Sequence, residues 1–438
     1  MTSPYDPNSA PRQLTYDAVV VGAGPAGLTA AARLAARLGP GRVLVLDREA
    51  EAGGIPRHSH HPGYGIRDLG RFLSGPAYAR RLAERAVRAG ARIRTSATVT
   101  GWSGERTLDV TTPEGRLRVE GRVVVLATGA RERPRAARLI PGDRPQGVYT
   151  TGQLQNLVHL HGKRPGRRAV IVGAEPVSWS AVLTLRDADC RTALMTTAHP
   201  VADSPAPFTF AGRTLLKVPV ATRTRVTRIT GRGRLSSVEI EHTGTGARRT
   251  VDCDTLVLTG DWIPDHELAR SAGLDMDPGT KGPLVDTALH TSRPGVFAAG
   301  NMLHPVDTAD IAALDGRHVA EQAERWLTGT PPVATDMLSI NEGKAAVGVP
   351  LRADPPFRWV APGLLTAGAP APPRGHLLAW ADETVRRPRV ALRQDGRLLG
   401  SHRSALTAAP GRVFRVPWRL LSGYDPEGGP VRLGLLPD

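Results

Sequence analysis

The chain has 438 residues, 40% of them hydrophobic, a length that supports two or three domains without disulfide or metal staples, and it holds no uncharged apolar run long enough to enter a membrane. Its formal charge of +16 is almost all arginine, lysine occurring only at Lys163, Lys217, Lys281 and Lys344; the charge is scattered and aromatics are 4%, so a compositional habit is favoured over nucleic-acid binding. The two cysteines, Cys190 and Cys253, lie in separate segments and form no C-x-x-C, which argues against a disulfide scaffold, a cysteine-ligated iron–sulfur cluster and a dithiol redox centre.

Residues 1–13 are polar and proline-bearing with no apolar leader, and read as a loose tail on a cytoplasmic protein. "YDAVVVGAGPAGLTAAARLA" follows, an apolar run, three glycines spaced G-x-G-x-x-G and an alanine-rich helical pattern. This is the strand, turn and helix of a dinucleotide-binding unit. Gly22 permits the sharp turn, Gly24 lets backbone approach a diphosphate, and Gly27 lets helix lie close on strand. Pro25 and Ala26 open the helix, whose free N–H groups and dipole face the phosphates. The spacing alone says little, but "RVLVLDRE" ends in Asp47 about 20 residues on, where a carboxylate accepts from ribose hydroxyls.

The stretch from Gly53 to Gly65 is rich in glycine, proline and histidine and reads as irregular loop, placed to run beneath the rest of a cofactor. His58, His60 and His61 fit no familiar ligand spacing and have no cysteine or paired acid beside them, so no metal is expected. A helix is predicted over Tyr78 to Val87. "ARIRTSATVTGW" then supplies a strand ending near Val99, on the adenine side of such units. A β-meander follows, with turns at Pro113 to Gly115 and at Glu120 to Gly121, and closes in Val123 to Leu126 and the Ala127, Thr128, Gly129 turn.

The glycine turn, Asp47, the Gly53 and Gly54 pair, "ATGARERP" and the later "TSRPGVFAAGN" together resemble the two-dinucleotide-fold flavoproteins, the glutathione-reductase and thioredoxin-reductase-like superfamily, over roughly residues 14 to 330. More narrowly, "GGIPRH", "IPGDRPQGVYTTGQLQ" and "GVFAAGNMLHPV" look like the flavoprotein subunits of bacterial opine and amine dehydrogenases and the FAD subunit of hydrogen cyanide synthase. The resemblance implies FAD in the first site, with Arg48, Gly54, Ile55, Val99, Ala127, Thr128, Gly129, Gly300, Asn301, Thr308 and Ala309 joining Gly22, Gly24, Pro25, Ala26, Gly27 and Asp47 around it. Asparagine stands at 301 where related flavoproteins usually carry an aspartate on the ribityl chain, and it still donates and accepts there. With the "GGIPRH" loop beside the flavin ring, Arg57, His58 and His61 become candidates for substrate anchoring or proton transfer, arginine suiting a carboxylate. Ser59 and His60 replace a cysteine and glycine frequent in the subfamily, so no thiol role arises there.

"RPGRRAVIVGAEPVSWSAVLTLRDADCRTALMTT" repeats the strand, turn and helix, so a second Rossmann-like domain is expected at 151–259. Gly173 keeps the first glycine, but Glu175 and Ser178 hold the second and third positions, and the next strand ends in Thr196 and Thr197 without a ribose acid. A carboxylate at the closest diphosphate approach adds bulk and a like-charge repulsion on the order of several kcal/mol. NAD(P) binding is therefore doubtful, and a domain kept for architecture is favoured.

The chain then returns to the first domain, which comprises 14–150 and 260–330. An amphipathic helix is predicted over Ala309 to Leu327, capped by Asp307 or Thr308. In a fold of this type its N-terminus points at the flavin pyrimidine edge, where the dipole offsets charge appearing on reduction. "GTPPVATD" is a linker, and 338–438 form a small β domain with a hairpin at "QDG" and no catalytic motif.

The expected fold is thus α/β, an FAD-binding Rossmann-like domain with an inserted second Rossmann-like domain and a small C-terminal all-β domain. The expected activity is that of an FAD-dependent oxidoreductase, a dehydrogenase-type subunit that oxidises an amine, imino acid or opine-like small molecule. A partner flavoprotein or ferredoxin-like subunit is expected beside it, with no membrane insertion. The alternatives are an NAD(P)H-dependent flavin reductase and a noncatalytic FAD electron-relay subunit.

Overall fold

The computed structural model describes residues 10–204, 206–305, 307–329 and 348–437. Most of the tail read at 1–13, the linker from 330 to 336, and 338–347 of the C-terminal domain lie outside the described residues.

Ala18 to Val21 and Val43–Leu46 are buried at every position, as parallel strands covered on both faces must be. They pair in parallel, Ala18 opposite Val43 and Val21 opposite Leu46. The whole sheet runs Arg92–Arg94, Val43–Leu46, Arg12–Val21, Gly115–Leu126, Thr107–Thr112 and Thr98–Trp102, and the returning chain adds Val296–Ala298 beside Gly115–Leu126. Arg12 and Gln13 already pair, with Leu117 and Arg118.

Two details differ from the sequence reading. No turn forms at Glu120 to Gly121, because Gly115–Leu126 is one 12-residue strand. Gly121 sits inside it at a close approach, where a Cβ would meet the Val123 carbonyl oxygen at 2.6 Å and Val19 Cγ2 at 3.0 Å. The stretch before Trp102 is two strands, Arg92–Arg94 and Thr98–Trp102, broken at Ser96, whose φ is 50°.

Helix Pro25–Leu38 starts at Gly24 with Pro25 in its first turn and stops at Gly39, φ 97°. Helix Gly75–Arg88 covers the predicted 78–87. The loop between them is less irregular than expected: Ile55–His58 form a 3₁₀ turn, and Pro62–Tyr64 pairs with Leu73–Ser74. Helix Ala309–Leu327 lies against Pro25–Leu38.

A second parallel sheet runs Val148–Thr150, Thr255–Leu258, Arg168–Val172, Arg191–Thr196 and Val220–Ala221, with the meander Thr224–Thr230, Ser237–His242 and Arg248–Asp252 beside it. The short antiparallel pair Ala130–Glu132 and Trp262–Pro264 lies where the chain passes between the two sheets. Beyond 348 come a five-stranded and a three-stranded sheet over their own apolar core, which includes Leu351, Phe357, Leu392 and Leu433. The hairpin at "QDG" joins Arg389–Gln394 to Arg397–Arg403, and positive φ at Asp395 and Gly396 matches a turn with the right-handed twist of its strands. This C-terminal unit sits on the long helix, where Ile311 packs with Trp359, Ala361 and Leu378.

Candidate functional site

The first glycine turn is built by close approach. Gly22 has φ 106° and donates to the Leu46 carbonyl at 2.8 Å, and a Cβ on it would lie 2.4 Å from the Ala127 oxygen. A Cβ on Gly27 would lie 1.9 Å from the Gly22 oxygen, so helix and turn touch with nothing between them. Gly24 is the opposite case. Nothing lies within 4 Å of a Cβ there, and its backbone, φ −82° and ψ −174°, is open to any residue. The space in front of the helix is thus left clear where a diphosphate would meet backbone N–H groups, and the residues present fit a dinucleotide.

The remaining residues named for the cofactor gather round this turn. Gly53 donates to the Ala23 oxygen, and a Cβ on Gly54 would be 2.8 Å from the Gly24 Cα, so the loop presses on the turn from one side with Ile55 half exposed beside it. Asp47 receives N–H bonds from Ala23 at 2.5 Å and Glu49 at 2.8 Å, and burial lifts its carboxyl above the ordinary range. Ser96 and Ala97 donate to the Glu49 and Asp47 carbonyls, which brings the start of the Val99 strand alongside the acid. Thr128 donates to the Asp265 oxygen at 2.6 Å, Gly129 accepts from Asp265 N–H, and Arg48 pairs with the Asp265 carboxylate. Gly300, φ 76°, faces Ala26 across 2.8 Å from a built Cβ.

Asn301 uses both ends of its amide on the backbone of Asp307, donating to its carbonyl at 3.1 Å and accepting its N–H at 3.2 Å. Thr308 stands at the N-cap of the long helix without a side-chain cap bond; the Ile311 N–H goes to the Thr308 carbonyl oxygen and to Asp310 Oδ1, both at 3.1 Å, so it is Ala309 and Asp310 whose N–H groups lack intrahelical acceptors. Sequence reasoning missed Gly316 on that helix; a Cβ there would strike the Ala26 oxygen at 2.1 Å. Its only signal was a helix-weakening glycine inside an amphipathic pattern.

Arg57, His58 and His61 are not brought together. Arg57 faces Glu49 and Glu51 and donates to the Glu51 carbonyl. His61 turns back on the Pro62 oxygen at 2.9 Å, and His60 stacks on His159. His58 is buried with its Nδ1 unpartnered, and burial lowers its pKa to about 4. Next to it Gln155 donates to Ser59 and Ser180, so the loop is tied to the second unit. Among the described residues no three His, Cys, Asp or Glu side chains gather as a metal site.

The second glycine turn does not fit a dinucleotide. At the counterpart of Gly24 stands Glu175, whose buried carboxylate turns in against Gly173 and Gly260, 2.7 and 2.6 Å from a Cβ built on each, beside Ser178 and Thr259, so the chain's own side chains fill the turn. Glu175 is buried, which raises its pKa, and Gly411 of the C-terminal unit packs over it and Asp203. Neither cysteine is poised for redox work: both are buried and unpaired, with burial pushing Cys190 to about 11 and Cys253 to about 12.

One open and one filled dinucleotide turn, on two parallel sheets joined by a two-stranded link, define a flavoprotein of the two-dinucleotide-fold class. The chain belongs to the pyridine nucleotide-disulphide oxidoreductase family, whose profile matches residues 16–319, and it is an FAD-dependent oxidoreductase. It is 29% identical over 340 residues to the A-type subunit of opine oxidase from Rhizobium meliloti, covering 70% of this chain and 62% of that one. It is 28% identical to the thioredoxin reductase of Treponema pallidum (66% of this chain, 89% of that one) and 28% identical to the alpha subunit of sarcosine oxidase from Corynebacterium sp. strain P-1 (68% and 31%). The thioredoxin reductase of T. acidophilum shares the fold, with TM-score 0.60 and 22% identity over 72% of this chain and 99% of that one. Among the described residues no helix is long and apolar enough to cross a membrane.

Proposed function

We propose that this chain is a dehydrogenase-type flavoprotein that takes electrons from an amine, imino acid or opine-like substrate and passes them to a partner protein. The observation that carries this reading is the contrast at the second glycine position of the two turns, open at Gly24 and occupied by the buried side chain of Glu175 in the other. A filled second site disfavours a nicotinamide donor, and the two buried, unpaired cysteines disfavour a disulfide acceptor. An organic substrate is left as the electron source. The relatives named as subunits of opine oxidase and of sarcosine oxidase support that substrate class and a multi-subunit setting.

Bound in the first site, FAD supplies a two-electron acceptor. Backbone N–H groups at the start of helix Pro25–Leu38 hold its diphosphate, and Asp47 serves the ribose. His58 stays neutral at pH 7 and offers a hydrogen-bonding nitrogen in a dry wall. Arg57 anchors a substrate carboxylate only by exchanging Glu49 and Glu51 for it. That engagement favours a second reading, a relay subunit whose partner oxidises the substrate.

Rapid mixing of the purified protein with NADH, NADPH and a panel of amino, imino and opine-type acids, following flavin bleaching, tests these readings. Bleaching by a substrate alone is expected. Bleaching by a nicotinamide refutes the proposal in favour of a flavin reductase, and bleaching only with a partner present favours the relay.

A further inference from the structure

Arg415 lies on strand Phe414–Pro417 of the C-terminal unit, yet its guanidinium pairs with Oδ1 of Asp307, just before the long helix. The Asp307 side chain is 3% exposed. The same Oδ1 accepts the Thr308 N–H at 2.7 Å, and the Asp307 backbone is held at both ends by Asn301. One cation on the last unit therefore fixes a carboxylate, the carboxylate fixes the helix entry, and the entry holds the side chain that follows Gly300. The second carboxylate oxygen, Oδ2, is buried and has no partner among the described residues. A desolvated acceptor left bare is costly, and here it lies just ahead of the Ala309 and Asp310 N–H groups, the first two of the helix, which also lack intrahelical acceptors. A donor row next to a single acceptor is the complement of an imide edge, carbonyl beside N–H.

We propose that Asp307 and Arg415 form the wall of the site against the flavin's pyrimidine ring, with Asp307 Oδ2 accepting the ring's imide N–H. The helix N–H groups take the neighbouring carbonyl. Arg415 is a positioning residue: it keeps the carboxylate in place and offsets its charge. This rests on FAD occupying the first site. An uncompensated carboxylate there opposes the negative charge that reduction places on the ring, so Arg415 raises the flavin's potential and Asp307 lowers it.

The test measures FAD affinity of the apoprotein and the flavin midpoint potential, by dye equilibration, for wild type, Arg415→Met, Arg415→Lys and Asp307→Asn. Arg358→Met, which breaks the exposed Arg358–Asp382 pair in the same unit, is the control. Arg415→Met is expected to shift the reduction equilibrium about tenfold toward the oxidised form, about 30 mV for a two-electron couple. Arg415→Lys restores most of that shift, Asp307→Asn moves the potential the opposite way, and the control leaves it unchanged. FAD-loaded Arg415→Met with the wild-type potential overturns the inference. If that variant does not fold, Asp307→Asn decides by the same measurement, an unmoved potential overturning the inference. A wild-type apoprotein that takes up no FAD is a separate result, which removes the site assignment and this wall with it.

Discussion

Alanine substitutions at two glycines of the same turn should have opposite signatures. At Gly27 a methyl would lie 1.9 Å from the Gly22 oxygen and 3.2 Å from Val20 Cγ1, against an ordinary contact of 3.4 Å or more, so the turn or the helix must move by over an ångström. Overpacking of this kind costs about 1–3 kcal/mol, which lowers the melting temperature of a chain this size by roughly 1–3 °C. At Gly24 the methyl meets nothing within 4 Å, and φ −82° suits any residue. Apoprotein stability should therefore stay within about 0.5 kcal/mol of wild type. FAD, however, must come within van der Waals reach of that position, and losing one charge-assisted bond to its diphosphate, about 1.5–3 kcal/mol, weakens binding roughly ten- to hundredfold. Thermal melts of the two apoproteins and titration of FAD by fluorescence quenching separate the cases. A Gly24→Ala protein that melts like wild type and binds FAD equally well refutes the placing of the diphosphate.

Glu132 is buried, and desolvation lifts its pKa to about 7 from an ordinary 4.5. The protonated form suits the fold, so its contribution is full below pH 4.5 and fades as pH rises through 7; Glu132→Gln should gain on wild type across that window, by on the order of 3 kcal/mol at pH 8 in melts run at several pH values. A gain of equal size at pH 4 and pH 8 contradicts the burial argument. Replacing Glu175 by glycine should leave substrate-driven bleaching intact, because Ser178, Thr259 and Gly411 still fill the second turn; a newly acquired response to NADPH would show that the one carboxylate was the barrier. His58→Ala should retain FAD and slow substrate-driven bleaching by roughly ten- to hundredfold, and a stopped-flow rate equal to wild type removes His58 from the chemistry.

The glycine turn, both parallel sheets and the hairpin at Asp395 were legible because each rests on local physics: buried apolar runs of four residues, glycines at forced dihedrals, and a two-residue turn with positive φ. Gly121 misled for the same reason. A glycine in a strand reads as a turn, and only the neighbouring strand, whose Val19 side chain would crowd a Cβ there, reveals why it is glycine. The filling of the second site was half visible in Glu175 and Ser178, whereas Thr259 and Gly411 come from far along the chain and leave no local signal. The "GGIPRH" stretch made Arg57 a candidate anchor, and its pairing with Glu49 and Glu51 depends on how the preceding loop folds back, which the local pattern does not carry. The Asp307–Arg415 pair joins two distant stretches that share no pattern, so neither announces the other.

Residues 348–437 grip both halves of the molecule at once. Arg374 reaches the buried Asp315 of the long helix, which also holds His304, while Gly411 rests on Glu175 and Asp203 of the other half. A swivel about the slender ribbon at Ala130–Glu132 would have to tear one of these anchorages away. Strapping of this kind opposes any change in the pose of one half against the other.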